Sequence, residues 1–376
     1  MDEIWFWQRI VSPHMAGLAV ALARLGNKVT YVAEQNMSPD RAQQGWMAPP
    51  LSSVRIMYAT NRAETAALAH EAPETAIHIC QGIRANGIVG VAQRALAARN
   101  LRSWVVMETV NDAIWSGALK RVEYARLFHA RRATLHGVLA SGHRTADWIV
   151  ARGVPRDRVY PFAYFLRDPD IALKAVSRSP GPYRFAFVGR LIKLKRVDWL
   201  VKALSGLRNQ NYELWIVGAG PEEEHLRRLT AHHLGNRVRW MGQLRSTEVS
   251  GVMAQADCLV LPSIHDGWGA VASESMLTGT PVICSDTCGV GSAVIASGKG
   301  GVFPARDSAA LANLLAQQLD SGSVGDAERR DLAAWAGCLG ATAGAKYLVE
   351  VLAHQSNGSR RPLAPWLRKD GLCAAS

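Results

Sequence analysis

The sequence lacks the features that define several classes of protein. No apolar run reaches the ~20 residues that a helix needs to cross a bilayer. The 6 cysteines are scattered over 376 residues, with neither a C-x-x-C pair nor a His/Cys cluster at zinc spacing. We therefore expect no disulfide framework and no zinc site, and we expect the cysteines in strands to be small, reduced core residues.

The first residues do not have the charge pattern of a secretory signal. They read MDEIWFWQRI, so acidic residues lead where a secretory signal would carry basic ones. A cytoplasmic protein is the expectation.

Acidic residues are few relative to basic ones. The 31 Asp and Glu against 43 Lys and Arg leave a net charge of +12. Such a charge suits nucleic acid, an anionic membrane surface or a phosphorylated substrate. The basic residues are spread along the chain and no RNA- or DNA-binding motif is present, so a nucleic-acid partner is not expected.

The order of predicted elements indicates an α/β protein. Strands alternate with helical stretches, and the length favours two domains, each a doubly wound parallel sheet. We expect domains at 1–170 and 183–340, a Pro- and Gly-rich linker at 171–182, and a C-terminal helix and basic tail at 341–376. A ligand is then expected in a cleft between the two domains, at the carboxyl ends of strands.

The predicted elements are as follows. In the first half, strands are expected at Glu3–Trp7, Lys28–Ala33, Val54–Tyr58, Thr75–Cys80, Arg102–Met107 and Gly137–Ala140, with a helix over His14–Leu25. In the second half, strands are expected at Tyr183–Val188, Tyr212–Val217, Arg237–Met241, Cys258–Leu261, Pro281–Cys284 and Gly301–Phe303. Helices are expected over Asp198–Leu207, from Glu222, and from the capping residue Asp307 to about Leu319.

The basic tail, Ser356–Ser376, allows two interpretations. It carries Arg360, Arg361, Arg368 and Lys369 around Trp366. The first interpretation is a solvated, poorly ordered terminus. The second is a contact with an anionic membrane, because basic residues beside a Trp suit that interface.

Two glycine-marked strand exits in the second half carry side chains suited to an anionic ligand. Gly189-Arg190 is followed by Lys195, a pair of cations that can neutralise phosphates. The loop from Ser263 to Gly269 contains Asp266 and leads into a helix with Glu274, whose first N–H groups form an anion site. Lys193 and Arg196 lie as near to this strand end as Lys195, so the run of basic residues could also be a solvated face. Glu274, taken alone, could be a surface or capping carboxylate. Gly218-Ala219-Gly220-Pro221 and Met241-Gly242-Gln243-Leu244 mark two further exits.

In this order and spacing, these segments resemble the retaining glycosyltransferases of family 4, the group 1 glycosyltransferases, which have the GT-B fold of two Rossmann-like domains facing across a cleft. The matching runs lie between Phe185 and Asp286: FVGRLIKLKRVDWLVKAL, LWIVGAGPEEEHLRRL, VRWMGQL and ADCLVLPSIHDGWGAVASESMLTGTPVICSD. The resemblance implies a nucleotide diphosphosugar as co-substrate, with no metal and no other cofactor.

The resemblance also implies roles for individual residues. Arg190 and Lys195 match the pair that holds the donor diphosphate, and Glu274 matches the carboxylate that binds the ribose. Asp266 falls at the position that contacts the donor sugar. The remaining expected donor-binding residues are Gly17, Gly189, Gly218, Leu244 near the base, Gly267, Trp268, and Gly269, Ala270 and Val271 through their backbone N–H groups.

The chain departs from the family pattern at two of these positions. The family usually has two glutamates separated by seven residues, and here the first is Asp266, one methylene or about 1.5 Å shorter. This places the identity of the transferred sugar in question. Arg196 stands where the family usually has a glycine after the lysine.

The first half matches the family more loosely. Gly17 is expected near the donor phosphate, in the loop after the first strand, with His14 as an acceptor-side candidate. The family often has a histidine past the strand that ends near Met107, whereas this chain offers Glu108, Asn111 and Asp112 to the acceptor. His78 lies within a predicted strand, and a buried structural histidine is expected there.

Taken together, these observations predict a metal-independent, retaining transfer of a hexose from a UDP- or GDP-sugar. The expected acceptor is a saccharide, lipid-linked at the inner face of the plasma membrane in bacterial surface-polysaccharide biosynthesis. Two alternatives stay open: a GT-B-fold epimerase or hydrolase of the nucleotide sugar, and an inactive nucleotide-sugar-binding subunit.

Overall fold

The computed structural model divides the chain into two compact units. It describes residues 2–43, 48–84, 86–112, 115–168, 181–209 and 211–368. Of these, the N-terminal unit contains 2–168 and 339–368, and the second unit contains 181–338. The predicted linker lies outside the described residues except for 181 and 182, as do Lys369 and Cys373 of the tail.

The N-terminal unit is built on a seven-stranded parallel sheet. Its strand order is β3-β2-β1-β4-β5-β6-β7, so the order reverses at β1. β1 has five consecutive buried residues, which is typical of a parallel strand covered by helices on both faces. The strands are β1 Glu3–Ile10, β2 Lys28–Gln35, β3 Arg55–Tyr58, β4 Ile77–Gln81, β5 Ser103–Glu108, β6 Leu135–Ser141 and β7 Val159–Phe162.

Helices connect these strands. The first begins where the Ser12 side chain accepts a hydrogen bond from the Met15 N–H, with Pro13 in the first turn. The helices are α1 Pro13–Arg24, α2 Pro39–Gln43, α3 Arg62–Glu71, α4 Ile88–Ala98, α5 Gly117–Arg131 and α6 Thr145–Val150.

The second unit repeats this architecture on a six-stranded parallel sheet of order β10-β9-β8-β11-β12-β13. Its strands are β8 Tyr183–Val188, β9 Tyr212–Val217, β10 Val238–Gly242, β11 Cys258–Leu261, β12 Val282–Ser285 and β13 Gly300–Phe303. Its helices are α7 Val197–Ser205, α8 Glu223–His233, α9 Ser246–Gln255, α10 Ala270–Leu277, α11 Gly291–Ser297, α12 Ser308–Ser321 and α13 Asp326–Ala336.

The predicted elements of both halves are confirmed, with ends displaced by up to two or three residues. β8, β9 and β11 have the predicted bounds, and Asp307 caps α12 by accepting a hydrogen bond from the Ala310 N–H at 2.9 Å. The short strand β7 was not predicted, because its four residues contain Pro161, a residue that argues against a strand away from a sheet edge. β7 is an edge strand.

The chain returns to the N-terminal unit after the second one. The Leu166 N–H donates to the Leu339 carbonyl at 3.1 Å, and α14, Ala341–Asn357, then packs against α1. At this crossing, the Gly344 Cα faces the Phe165 ring so closely that a Cβ would overlap it.

The described part of the tail is folded, so the expectation of a solvated, poorly ordered terminus is wrong for residues up to 368. The Trp366 side chain is only 4% exposed and lies near Phe165, and the Arg361 guanidinium stacks 4.4 Å from the Tyr160 ring centroid. A buried indole cannot insert into a membrane, so Trp366 does not support the second interpretation, and a contact of the tail with an anionic membrane stays a prediction. The aromatic residue belongs to the core of the unit instead.

The contact between α14 and Phe165 gives a stability prediction. We expect Gly344→Ala to lower the free energy of unfolding by about 1–3 kcal/mol, because the added methyl group overpacks the Phe165 ring. Urea unfolding monitored by circular dichroism measures this change.

The matched control is Gly251→Ala within α9, where a Cβ meets no atom within 4 Å. That substitution is expected to raise helix stability by about 0.5–1 kcal/mol. Equal stability of Gly344→Ala and the wild type would contradict the packing described here.

Candidate functional site

The second sheet reverses its strand order at β8. β9 lies on one side of β8 and β11 on the other, so the chain leaves the carboxyl ends of β8 and β11 toward different parts of the sheet. Such a reversal opens a crevice in which ligands of doubly wound folds bind. Gly189 and Arg190 follow β8 at this crevice, and the loop from Ser263 to Gly269 follows β11.

The strand exits beside the crevice fit together through their backbones. The Gly189 N–H donates to the Val217 carbonyl at 3.0 Å, and the Gly218 N–H donates to the Gly242 carbonyl at 2.7 Å. Gly218 has a φ of 131°, and a Cβ at this position would overlap the Gly189 carbonyl. Only glycine fits there, so Gly218 is required by the backbone packing between the exits of β8 and β9.

Neighbouring segments hold the loop after β11 on both sides. The Ile264 N–H donates to the Leu194 carbonyl at 2.9 Å, which ties the loop to the turn after β8. The Thr287 hydroxyl donates to the Ser263 carbonyl at 2.9 Å, and the Val290 N–H donates to the Trp268 carbonyl at 2.7 Å. Sequence reasoning missed this support from the segment after β12, because the contact joins residues 24 positions apart.

The cations near the crevice differ in their partners. Arg190 is exposed and forms no hydrogen bond or ion pair through its side chain among the described residues. Arg196, in contrast, pairs with Asp198 at 2.6 Å and stacks 3.9 Å from the Trp199 ring centroid. The structure therefore separates Arg196 from the cations available to a ligand, a distinction that the sequence left open.

The backbone at Arg196 explains the family's usual glycine. Arg196 has a φ of 51°, in the left-handed region that favours glycine, and it immediately precedes α7. Its guanidinium fork on Asp198 and its stacking on Trp199 compensate for that conformation.

Lys195 and Asp266 lie in direct contact. The Lys195 ammonium forms a short ion pair with the Asp266 carboxylate, and both side chains are largely buried. The residue expected to hold phosphate and the one expected to hold the sugar are thus adjacent. An anionic ligand would share Lys195 with Asp266 or displace that carboxylate.

The helix α10 presents its N-terminus to the same loop. Gly269 precedes the helix with a φ of 87°, and no side chain caps the helix. The first N–H groups of a helix have no partner within it, so those of Ala270 and Val271 offer hydrogen bonds to an anion.

Glu274 lies on α10, one turn further on. Its side chain makes no hydrogen bond or ion pair among the described residues, and burial raises the pKa of its carboxyl to about 7. A carboxylate kept without a protein partner is suited to a ligand that brings hydroxyl groups.

Two other residues predicted near the ligand differ in exposure. The Trp268 indole is only 1% exposed and donates to the Ser273 hydroxyl at 3.0 Å, so its side chain is a core element. Any contact of Trp268 with a ligand is left to its backbone. Leu244 is half-buried just after β10, and Gly267 lies within the loop.

In the N-terminal unit, the position predicted for Gly17 is wrong. Gly17 lies within α1 rather than in the loop after β1, and a Cβ there would be 3.3 Å from the Arg167 backbone nitrogen. Close helix packing accounts for this glycine. His14, in the first turn of α1, stacks on Tyr164 at 4.6 Å, and burial together with Arg41 lowers its pKa to about 4.

The loop after β5 contains the other acceptor-side candidates. Glu108 ends β5 and is partly exposed, and the Asn111 carbonyl accepts a hydrogen bond from Lys120 at 2.8 Å. The Asp112 carboxylate accepts from the Trp148 indole at 3.0 Å and pairs with Arg121 and Arg152. These partners lower the pKa of Asp112 although its burial opposes them, and they give Asp112 a structural role.

The predicted burial of His78 and of the cysteines in strands is confirmed. His78 is fully buried, accepts a hydrogen bond from the Trp7 indole at 3.1 Å, and has a pKa lowered to about 4 by burial. Five cysteines within the described residues are free and buried. In the same part of the chain, no group of three or more His, Cys, Asp or Glu side chains could hold a metal ion.

The fold belongs to a known class of enzyme structures. HepE from Anabaena, solved in complex with UDP, matches with a TM-score of 0.71 at 14% identity, over 94% of this chain and 100% of that one. The lipopolysaccharide outer core galactosyltransferase WaaB matches with a TM-score of 0.68 at 16% identity, over 93% of this chain and 99% of that one. These similarities confirm the predicted GT-B fold.

Sequence comparison supports the family resemblance. Residues 171–334 match the family model of glycosyl transferases group 1. Glycogen synthase from Mycobacterium tuberculosis is 32% identical over 263 residues, which cover 69% of this chain and 56% of that protein. Residues 171–334 are thus similar to the group 1 glycosyltransferases, as the resemblance implied. It spans about half the length of the curated relatives that it matches first.

The pKa of Glu274 gives a second prediction. The pKa of this carboxyl is about 7 in the folded protein and 4.5 in the unfolded chain, so the folded state binds the proton more tightly. The free energy of unfolding of the protein therefore falls as the pH rises from 4.5 to 7. We expect Glu274→Gln to raise the free energy of unfolding at pH 8 by up to about 3 kcal/mol and to change it little at pH 4.5.

Urea unfolding of both proteins across this pH range measures the difference, and Glu248→Gln, on an exposed first turn of α9, serves as the control. A Glu274→Gln protein with the same pH dependence as the wild type would contradict the burial of this carboxylate.

Proposed function

We propose that the chain transfers a hexose, with retention of configuration and without metal, from a UDP- or GDP-sugar to a saccharide acceptor. One observation carries the proposal: Arg190, the Lys195 ammonium, the uncapped start of α10 and Glu274 all lie on elements that border one crevice. Among the described residues, the side chains of Arg190 and Glu274 form no hydrogen bond or ion pair. This set combines positive charge for a diphosphate with a carboxylate for a ribose.

The proposed donor site assigns a role to each group. Arg190 binds the diphosphate through two parallel hydrogen bonds, and Lys195 adds a second positive charge. The N–H groups at Ala270 and Val271 bind the distal phosphate. Glu274 accepts hydrogen bonds from the ribose hydroxyls, and Asp266 contacts the sugar. The HepE protein has been solved with UDP-glucose, which supports a UDP-sugar as the first donor to test.

In the proposed reaction, the bond between the sugar C1 and the phosphate oxygen breaks while the acceptor oxygen bonds to C1 on the same face. The acceptor hydroxyl gives its proton to the departing diphosphate, so the protein need not supply a nucleophile. Arg190, Lys195 and the helix N–H groups stabilise the charge that develops on the leaving group.

The proposed acceptor is a lipid-linked saccharide at the cytoplasmic membrane face, in bacterial surface-polysaccharide biosynthesis. The net charge of +12 favours an anionic surface. The WaaB protein is named for a lipopolysaccharide outer core, a surface polysaccharide, which supports this class of acceptor. No helix within the described residues is long and apolar enough to cross a membrane.

Donor hydrolysis and transfer test the proposal. With a panel of UDP- and GDP-sugars, we expect nucleotide release to depend on one donor and to increase with a saccharide acceptor. Arg190→Ala should lower kcat/KM about 100-fold, since a charge-assisted contact in the transition state is worth ~3 kcal/mol. Arg330→Ala, an exposed arginine of α13, should leave it unchanged.

Asp266 variants separate the alternatives. Asp266→Glu should retain transfer with a changed preference among sugars, and Asp266→Ala should reduce turnover while nucleotide binding persists. Donor consumption that does not depend on any acceptor would indicate an epimerase or hydrolase. Nucleotide binding without turnover in the wild type would indicate a binding subunit, and neither binding nor turnover would refute the proposal.

A further inference from the structure

The helix α5 of the N-terminal unit has apolar side chains on two sides. On its inner side, Phe128 is buried and Tyr124 packs edge-on against Trp148 at 5.2 Å. On its outer side, Leu119 is 70% exposed and Val122 is 50% exposed. Trp115, just before the helix, is 93% exposed. The inner side explains how α5 packs on its unit, and the outer side needs a different explanation.

The exposed residues form a stripe. Leu119, Val122 and Arg126 recur at spacings of three and four, which places them along one side of α5. Trp115 stands four positions before Leu119, in the turn that leads into the helix. We call this stripe the α5 face. Soluble domains often expose single apolar residues. Three large apolar residues in line, one of them a Trp, indicate a surface that a partner covers when the protein functions.

The charge around the α5 face indicates what covers it. α5 carries four basic residues, Lys120, Arg121, Arg126 and Arg131, and a single acidic residue, Glu123, which is neutralised by Arg84 at 2.9 Å. Arg126 is exposed on the face and Arg132 is exposed just beyond the helix, and neither forms an ion pair among the described residues. Apolar side chains with a Trp, bordered by unpaired arginines, suit an anionic lipid surface.

We infer that the α5 face docks the N-terminal unit onto a membrane that contains anionic lipid. Trp115 and Leu119 enter the boundary between headgroups and acyl chains, and Arg126 and Arg132 contact anionic headgroups. This inference deepens the proposed function and rests on it, because a lipid-linked acceptor requires the enzyme to work at a membrane surface. It replaces Trp366, which is buried, as the aromatic residue that contacts lipid.

The position of α5 links docking to the acceptor loop. The Lys120 ammonium donates to the Asn111 carbonyl at 2.8 Å, and Arg121 pairs with the Asp112 carboxylate at 3.2 Å. The start of α5 thereby holds the loop after β5, which contains the acceptor-side candidates. A membrane seated on the α5 face would lie beside this loop.

Vesicle flotation tests the inference on the full-length protein. We expect the wild type to float with vesicles that contain one-third phosphatidylglycerol, to float less with pure phosphatidylcholine, and to be released in 0.5 M salt. Replacing both Trp115 and Leu119 with serine should weaken binding about tenfold or more. Arg126→Gln should weaken binding to anionic vesicles about fivefold and leave binding to neutral vesicles unchanged.

Two matched controls lie in the second unit. Ile295→Ser removes an apolar side chain that is about as exposed as Leu119. Arg330→Gln removes an exposed arginine that forms no ion pair among the described residues. Both should float like the wild type. No flotation of the wild type with anionic vesicles, or equal flotation of the Trp115 and Leu119 variant, would overturn the inference. Loss of self-association in that variant, with flotation unchanged, would overturn it in favour of a protein interface.

Nucleotide binding separates this inference from the proposed function. Titration with UDP and GDP should give the same affinity for the α5-face variants and the wild type, because the proposed donor residues lie in the other unit. Nucleotide binding without flotation would refute only the docking surface. Flotation without nucleotide binding or turnover would refute only the proposed function.

Discussion

The reversal of strand order at β8 is the constraint on which the rest of the second unit depends. Because the sheet extends in both directions from this strand, the segments that leave β8 and β11 border a crevice that helix packing cannot fill. Beside this crevice, the backbones that leave β8 and β9 approach so closely that Gly218 cannot carry a Cβ. The cations after β8 and the helix start after β11 meet the same crevice, so charge for an anion is concentrated there.

The crevice retains groups that cost stability without a ligand. Among the described residues, the desolvated Glu274 has no partner and Arg190 has no counter-ion, whereas Lys195 is already paired with Asp266. Polar groups left unmatched in a protein are typical of sites whose partner is a ligand. Asp266, which stands where the family usually has a glutamate, forms an ion pair in the free protein with the lysine expected to hold phosphate. Helix α5 shows a comparable mismatch on the other unit, with apolar side chains facing solvent.

The sequence is most informative where the determinants are local. Buried strands such as β8 and β11 are short apolar runs ended by glycine or a polar loop, and Asp307 caps α12 through a contact within three residues. Side-chain burial depends on residues far along the chain, so the core positions of Trp268 and Trp366 could not be deduced from the motifs around them. The return of α14 to the N-terminal unit likewise rests on the contact between Leu166 and Leu339. The different roles of Lys195 and Arg196 follow from one left-handed residue that the motif alone does not reveal.

A crystal structure of the protein with a bound nucleoside diphosphate tests the central claim most directly. We expect the diphosphate to lie against Arg190, Lys195 and the N–H groups of Ala270 and Val271. The ribose hydroxyls should lie on Glu274, and the contact between Lys195 and Asp266 should be lengthened. A nucleotide bound away from the carboxyl ends of β8 and β11, with Arg190 and Glu274 still unoccupied, would contradict it.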